Sequence, residues 1–414
     1  MLSDEVLERV SERIIQRIEK VNTDILKHIG KNIKEIGTLN SSQAHKLVQT
    51  LKYGGDYQKI VKELSKITKL NVKDIQDIFE EVAKHDYKFA KQFYDYRGIN
   101  YIPYEENIAL QSEVRAIANI TARRVAEMMR PNVLGYGYIK DRETTFKGLK
   151  KAYYDLLDEA VLSVSQGKET FDSAMTRQIK QMGGSGLKVI YESTYIDKNG
   201  IERHHTRRLD SAIRMNMKDS LRELHNETQR IFGEEFGSDG VEISVHSNPA
   251  PDHEEVQGKQ FSNIEFEKFQ NDDTAISYDG VVFTPDYDGR DRRAISEYNC
   301  YHYTFSIVLG VNKPEYTNEQ LQEIIDNNNK GFELDGKTYT NYEGTQIQRR
   351  LETEIRKQKD IQIMARESGQ DDLVLQSQKK ITQLTRKYKE LSDISGLPTK
   401  MKKMKISGYR RVKV

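Results

Sequence analysis

Apolar residues recur at mostly four-residue steps from the start of the chain: Val6, Val10, Ile14, Ile18, Val21, Ile25 and Ile29. That spacing predicts a long amphipathic helix with one apolar stripe. Asn71, with Asp74 three residues on, predicts a helix start, and Gly98 a stop after Tyr96. Further helices are predicted over Glu105–Met129, ended by Pro131, and over Glu143–Val164 and Glu169–Met182. Gly183-Gly184-Ser185-Gly186 then interrupts the period and predicts a flexible linker.

The pattern changes after the linker. Leu187 to Tyr195 is rich in β-branched and aromatic residues, Asp197–Gly200 reads as a turn, and Ile201–Thr206 supplies the returning strand. A helix is predicted from Arg208 to Phe232, with Ile213, Met217, Leu221 and Leu224 on one face. Val241–Val245 alternates like a strand, Asp279-Gly280 marks a hairpin within Ala275–Thr284, and Tyr301–Val311 reads as a buried strand. Thr340–Asp393 predicts two antiparallel helices meeting near Ser368-Gly369.

The fold class expected is α+β and predominantly α. It comprises an N-terminal helical region (1–182), a Gly-rich linker (183–186), a central mixed α+β module (187–316), a C-terminal helical hairpin region (317–394) and a basic tail (395–414). Charged residues at 31% against 36% hydrophobic ones leave little for large cores, so the amphipathic faces are expected to be completed by a larger assembly.

Charge adds one distinction. The chain has 65 basic and 64 acidic residues, but Lys400, Lys402, Lys403, Lys405, Arg410, Arg411 and Lys413 make the last segment +7 and leave −6 on the rest. Such a segment suits nucleic acid or an acidic protein partner. No run approaches the roughly 18 apolar residues of a membrane span, and the first 30 residues lack the apolar stretch of a secretory signal. A single cysteine excludes an intramolecular disulfide.

Reactive side chains concentrate between positions 246 and 302: His246, Asp252, His253, Glu254 and Gln257, then Cys300 and His302. Three His and one Cys permit a tetrahedral zinc site, set against a structural loop with hydrogen-bonded imidazoles. Otherwise no cofactor is expected. Cys300 as a nucleophile needs His246 or His253 in reach, against the plainer role of a small buried thiol. Asp286–Glu297 imitates a calcium loop but has Arg290 and Asp291 at its fifth and sixth positions, which favours a surface turn. The Walker, His-Glu-x-x-His and Gly-x-Ser-x-Gly motifs are absent.

The segment from His246 to Phe261, followed by Asn299-Cys300-Tyr301-His302, resembles the minor capsid proteins of tailed phages, the Mu F-like minor head family. The matching residues are Asp252, His253, Gln257, Gly258, Lys259, Asn299, Cys300 and His302, while Tyr301 stands where Arg is frequent. The entry Arg207–Ser211 to a long helix, Gly310-Val311 and the helix opening Tyr342–Leu351 agree with the subgroup called phage minor capsid protein 2. The resemblance implies a non-enzymatic structural role in the virion, inside the head at the portal vertex. It implies assembly in the host cytoplasm, with the portal protein as partner and the major capsid or scaffold protein and packaged DNA as further contacts. Two rivals come from the residues themselves: a metal-dependent hydrolase or nuclease using the His/Cys group, and a DNA-binding module acting through the tail.

Overall fold

The computed structural model describes residues 4–53, 55–140, 143–166, 170–196, 200–297 and 300–413. Helices α1 (Asp4–Gly37), α2 (Ser41–Tyr53), α3 (Asp56–Arg97) and α4 (Ile108–Met128) come first. The apolar stripe on α1 is buried from Ile14 through Ile18, Val21, Ile25 and Ile29. Helix α3 begins 15 residues before Asn71 and ends, as expected, at a left-handed Gly98. Asn71 is no cap because its side chain is buried and engages Met129 and Arg17, while Asp74 pairs with Arg17 of α1. Asn107 caps α4 by accepting the Leu110 N–H.

The helix expected from Glu143 is in part a strand. Strands β1 (Leu134–Lys140) and β2 (Glu143–Gly148) form a hairpin, and only then does α5 (Leu149–Gln166) begin. Thr144, Thr145 and Phe146 favour the extended chain, and β1 supplies their hydrogen-bonding partner. The linker expectation is likewise corrected: Gly183, Gly184 and Ser185 are the last turn of α6 (Phe171–Ser185). Their smallness serves packing, since a Cβ on Gly183 would lie 2.9 Å from the Ile361 Cα.

Strands β3 (Lys188–Ile196) and β4 (Glu202–Arg208) complete an antiparallel sheet in the order β2-β1-β3-β4, and α7 (Leu209–Phe236) follows. Of the turn between β3 and β4, residues 197–199 lie outside the described ones. The next stretch folds as β5 (Gly240–Ile243), β6 (Gln260–Ser262), α8 (Asn263–Gln270), β7 (Ala275–Ile276), β8 (Val282–Phe283), β9 (Asp286–Tyr287), β10 (Arg290–Asp291) and β11 (Thr304–Ile307). Strand β5 lies between β11 and β6, and β7 and β8 pair around Asp279-Gly280. The imitation calcium loop is the β9–β10 hairpin. The buried strand expected over Tyr301–Val311 shrinks to β11, because β5 offers only four residues to pair with it.

The chain then forms α9 (Asn318–Lys330), the small hairpin β12 (Phe332–Leu334) and β13 (Lys337–Tyr339), and the long pair α10 (Asn341–Glu367) and α11 (Asp371–Ser395). Thr317 and Thr340 open α9 and α10 with reciprocal capping boxes, which stop each helix sharply at its first turn. One apolar core joins α1, α3, α4, α5, α6 and α7 to Ile361, Met364 and Leu373 of the C-terminal hairpin. The amphipathic faces therefore largely complete one another within the chain.

Buried charge marks the same junction. Arg208 binds Asp210 at 3.1 Å and Asp360 at 2.7 Å, and Asp360 also accepts from Asn22 of α1 at 3.2 Å. Arg356 of α10 closes on Asp210 from the other side. Burial opposes the Arg208 cation, but the two carboxylates outweigh it and hold its pKa above the ordinary value. The same arginines hold Asp210 well below the carboxylate range against its burial.

A candidate metal centre in the central module

Helix α7 places the site. Its Asn226 donates to Ser296 Oγ at 2.7 Å and accepts the Thr304 N–H at 3.2 Å, so one side chain holds both ends of the segment that carries Cys300 and His302. Its Gln229 accepts the Ser306 N–H at 3.2 Å and fixes β11 alongside. Opposite, the chain leaves β5 through a loop that returns at β6. Pro251 starts a short turn of 3-10 helix, with the His253 N–H donating to the Ala250 carbonyl. Gly258 closes the loop at φ 71°, where a Cβ would lie 2.5 Å from Leu321. Lys259 then fastens the loop to Asp279 at 2.7 Å and to Asn318 at 2.8 Å.

This arrangement brings His253, Cys300 and His302 together, with their ligand atoms all within 4.8 Å of one another. Cys300 Sγ lies 3.6 Å from His253 Nδ1 and 3.4 Å from His302 Nδ1. All three side chains are at most 3% exposed, so the group is closed to any sizeable substrate. His253 donates its Nε2–H to the Arg293 carbonyl at 2.8 Å. The Gln257 amide oxygen, oriented by the His246 N–H at 2.9 Å, receives His302 Nε2 at 3.4 Å. In both imidazoles the outer nitrogen is thus held by an oxygen and the inner one faces the sulfur.

Electrostatics keeps the group uncharged. Burial, reinforced by His246, His253 and nearby arginines, holds His302 well below the ordinary imidazole value. Burial lowers His253 too, outweighing the attraction of Asp252. The Cys300 thiol is pushed up by burial. Neutral imidazoles beside a protected sulfur can bind a cation but are poor at general acid chemistry.

The remaining expected residues occupy other roles. His246 stacks edge-on to His302 at 4.6 Å between ring centroids and bonds through Nε2 to the Tyr301 carbonyl, so it borders the group. Asp252 is drawn to Arg293 by paired contacts of 2.6 and 2.7 Å. Burial alone would raise the Asp252 carboxyl, but Arg293 holds it below its ordinary range. Asn299 lies outside the described residues. Lys400, Lys402, Lys405, Arg410, Arg411 and Lys413 are exposed and Lys403 is half-buried. Their backbone does not trail free: Thr23 Oγ1 donates to the Ser407 carbonyl at 2.7 Å, and Met404 and Ile406 are buried.

Sequence reasoning missed Arg293 as the partner of Asp252 and Asn226 as the clamp on the Cys300 segment. In the sequence Arg293 is one of two adjacent arginines, 41 residues from Asp252, with no local signal that pairs them. Asn226 looks like any polar residue beside the Leu221–Leu224 face of a helix.

A fold of packed helices with a small antiparallel module built around this His/Cys group defines a predominantly helical α+β protein. The model of the family described as phage minor capsid protein 2 matches residues 2–393, nearly the whole chain. The chain belongs to that family and is a structural component of the phage virion that interacts with other parts of the head. No curated protein and no solved structure gives a significant match. Among the described residues, no helix is long and apolar enough to cross a membrane.

Proposed function

We propose that this minor capsid protein sits inside the head at the portal vertex, binds the portal protein, and acts in head assembly and in packaging or delivery of DNA. The observation that carries this reading is the match of a single minor capsid family along residues 2–393. The structure supports it with a body whose long helices are locked by one core and a last segment whose largely exposed basic residues have no acidic residue among them. A rigid body suits an adaptor, and a cationic edge suits phosphate or an acidic neighbour. Assembly takes place in the host cytoplasm, before DNA enters.

Crosslinking of proheads followed by mass spectrometry tests the reading. Links from this chain to the portal protein are expected, with the major capsid or scaffold protein as lesser partners. Proheads that lack the chain, or that link it only to proteins of the outer surface, contradict it.

The exposure of Lys400, Lys402, Lys405, Arg410, Arg411 and Lys413 favours DNA as a second contact. Full engagement of the +7 segment gives a log-log salt slope of about −6 for duplex binding. Replacing those six residues by Gln should remove most of that slope while leaving portal binding in place.

A further inference from the structure

We propose that His253, Cys300 and His302 form a binding site for one divalent zinc-type ion that locks the loop after β5 to the segment before β11. The geometry is that of a ligand set. A tetrahedral centre with Zn–S of about 2.3 Å and Zn–N of about 2.0–2.1 Å separates sulfur from nitrogen by about 3.5 Å. The observed separations from Cys300 Sγ to the two Nδ1 atoms are 3.6 and 3.4 Å.

A second observation is independent of those distances. Each imidazole has its outer nitrogen engaged by an oxygen, His253 by the Arg293 carbonyl and His302 by the Gln257 amide. Metal-bound histidines are oriented in this way, because the outer N–H bond fixes the tautomer and aims the lone pair of the other nitrogen at the metal. Here both aimed lone pairs converge on the sulfur of the chain's single cysteine. A purely structural loop has no need for two imidazoles to turn lone pairs toward a thiol, which is a weak donor to either.

One soft sulfur and two imidazoles select zinc among the common divalent ions over calcium or magnesium. Binding replaces the Cys300 thiol proton by the metal, so each ion taken up releases one proton from sulfur. The three side chains leave a fourth position, which falls to a solvent oxygen. The Gln257 amide nitrogen is buried without an acceptor among the described residues. The site joins segments about 47 residues apart in sequence, so its effect is to tie the central module together.

Cobalt titration of the full chain, reduced and freed of metal with a chelator, tests the proposal. One equivalent of Co²⁺ should bind with a thiolate-to-cobalt charge-transfer band, and one equivalent of Zn²⁺ should bleach it. Cys300 is the only cysteine, so that band identifies its ligand without any variant. His253→Gln and His302→Gln should each weaken cobalt binding by at least about tenfold. Folded wild-type protein that gives no charge-transfer band overturns the proposal. So does a band whose affinity is unchanged in both variants while circular dichroism stays native.

Discussion

Two of the polar groups buried among the described residues are satisfied by opposite means. At the junction of α1, β4, α7 and α10, the charges of Arg208, Asp210, Asp360 and Arg356 offset one another. In the central module, His253, Cys300 and His302 are all neutral, and their inner nitrogens and sulfur face each other without a proton to share well. The first group joins helices far apart in sequence by charge that the chain itself supplies. The second gathers ligand atoms around a place that a cation completes. Buried polarity alone therefore does not identify a functional site; what distinguishes the two is that opposite charges face each other in the first, whereas two imidazole nitrogens face one sulfur in the second.

The comparison breaks most severely at the charged junction. Arg208→Ala leaves Asp360 fully buried beside Asp210 and is expected to cost about 3–5 kcal/mol in denaturant unfolding. The double replacement Arg208→Ala with Asp360→Ala should cost less than the sum of the two single ones, because the second removes the stranded charge. Additive losses would show that the pair is not coupled.

Glu19 gives the next largest effect. Burial, and then the charge of Asp210, push its carboxyl up to about 7, against the pull of Arg214, Arg356 and Arg208. Because the folded pKa lies above the unfolded value, the folded chain binds the extra proton. The stability it contributes is whole below about pH 4.5 and is lost as pH rises to about 7. Glu19→Gln should remove that fall and stabilise the protein by on the order of 2–3 kcal/mol at pH 8, read from unfolding midpoints across pH. A variant with the same pH slope as wild type would contradict the assignment.

Asp252→Asn tests the surroundings of the His/Cys group more gently. Loss of the paired contact with Arg293, which is half-exposed, is expected to cost about 1–2 kcal/mol. It should weaken metal binding less than loss of His253 does, because Asp252 supports Arg293 and not the ion. Smallest of all, Gln at Lys400, Lys402 and Lys405 should change stability by no more than about 0.5 kcal/mol, since these side chains are exposed, while lowering the salt dependence of DNA binding.

The sequence made some of this legible for physical reasons that are local. Gly98 and the pair Asp279-Gly280 demand particular backbone conformations, and the chain ends a helix and turns a hairpin there. The α1 stripe and the α10–α11 hairpin follow from a period that repeats over many residues. Strands β1 and β2 were hidden because their residues pair with each other and not with a repeating pattern of their own. Gly183-Gly184-Ser185 signals freedom when read alone, but close approach once Ile361 is beside it. The charged junction was invisible for the same reason: Arg208 and Asp360 are 152 residues apart.

At the candidate site, the density of His246, Asp252, His253, Cys300 and His302 was plain, but their division was not. Which three converge depends on the turn at Pro251 and on Asn226 gripping the segment from α7. Cys300 and His302 are two residues apart, but no strand aligns them. They meet in irregular chain just before β11, where the His302 N–H itself points to Cys300 Sγ at 3.4 Å.

X-ray absorption at the zinc edge of the zinc-loaded full chain tests the contrast between the two buried groups most directly. One sulfur at about 2.3 Å and two imidazole nitrogens at about 2.0–2.1 Å, with a light atom completing the shell, are the expected result. A shell of oxygen and nitrogen without sulfur would contradict it, and would make the His/Cys group as self-contained as the charged junction.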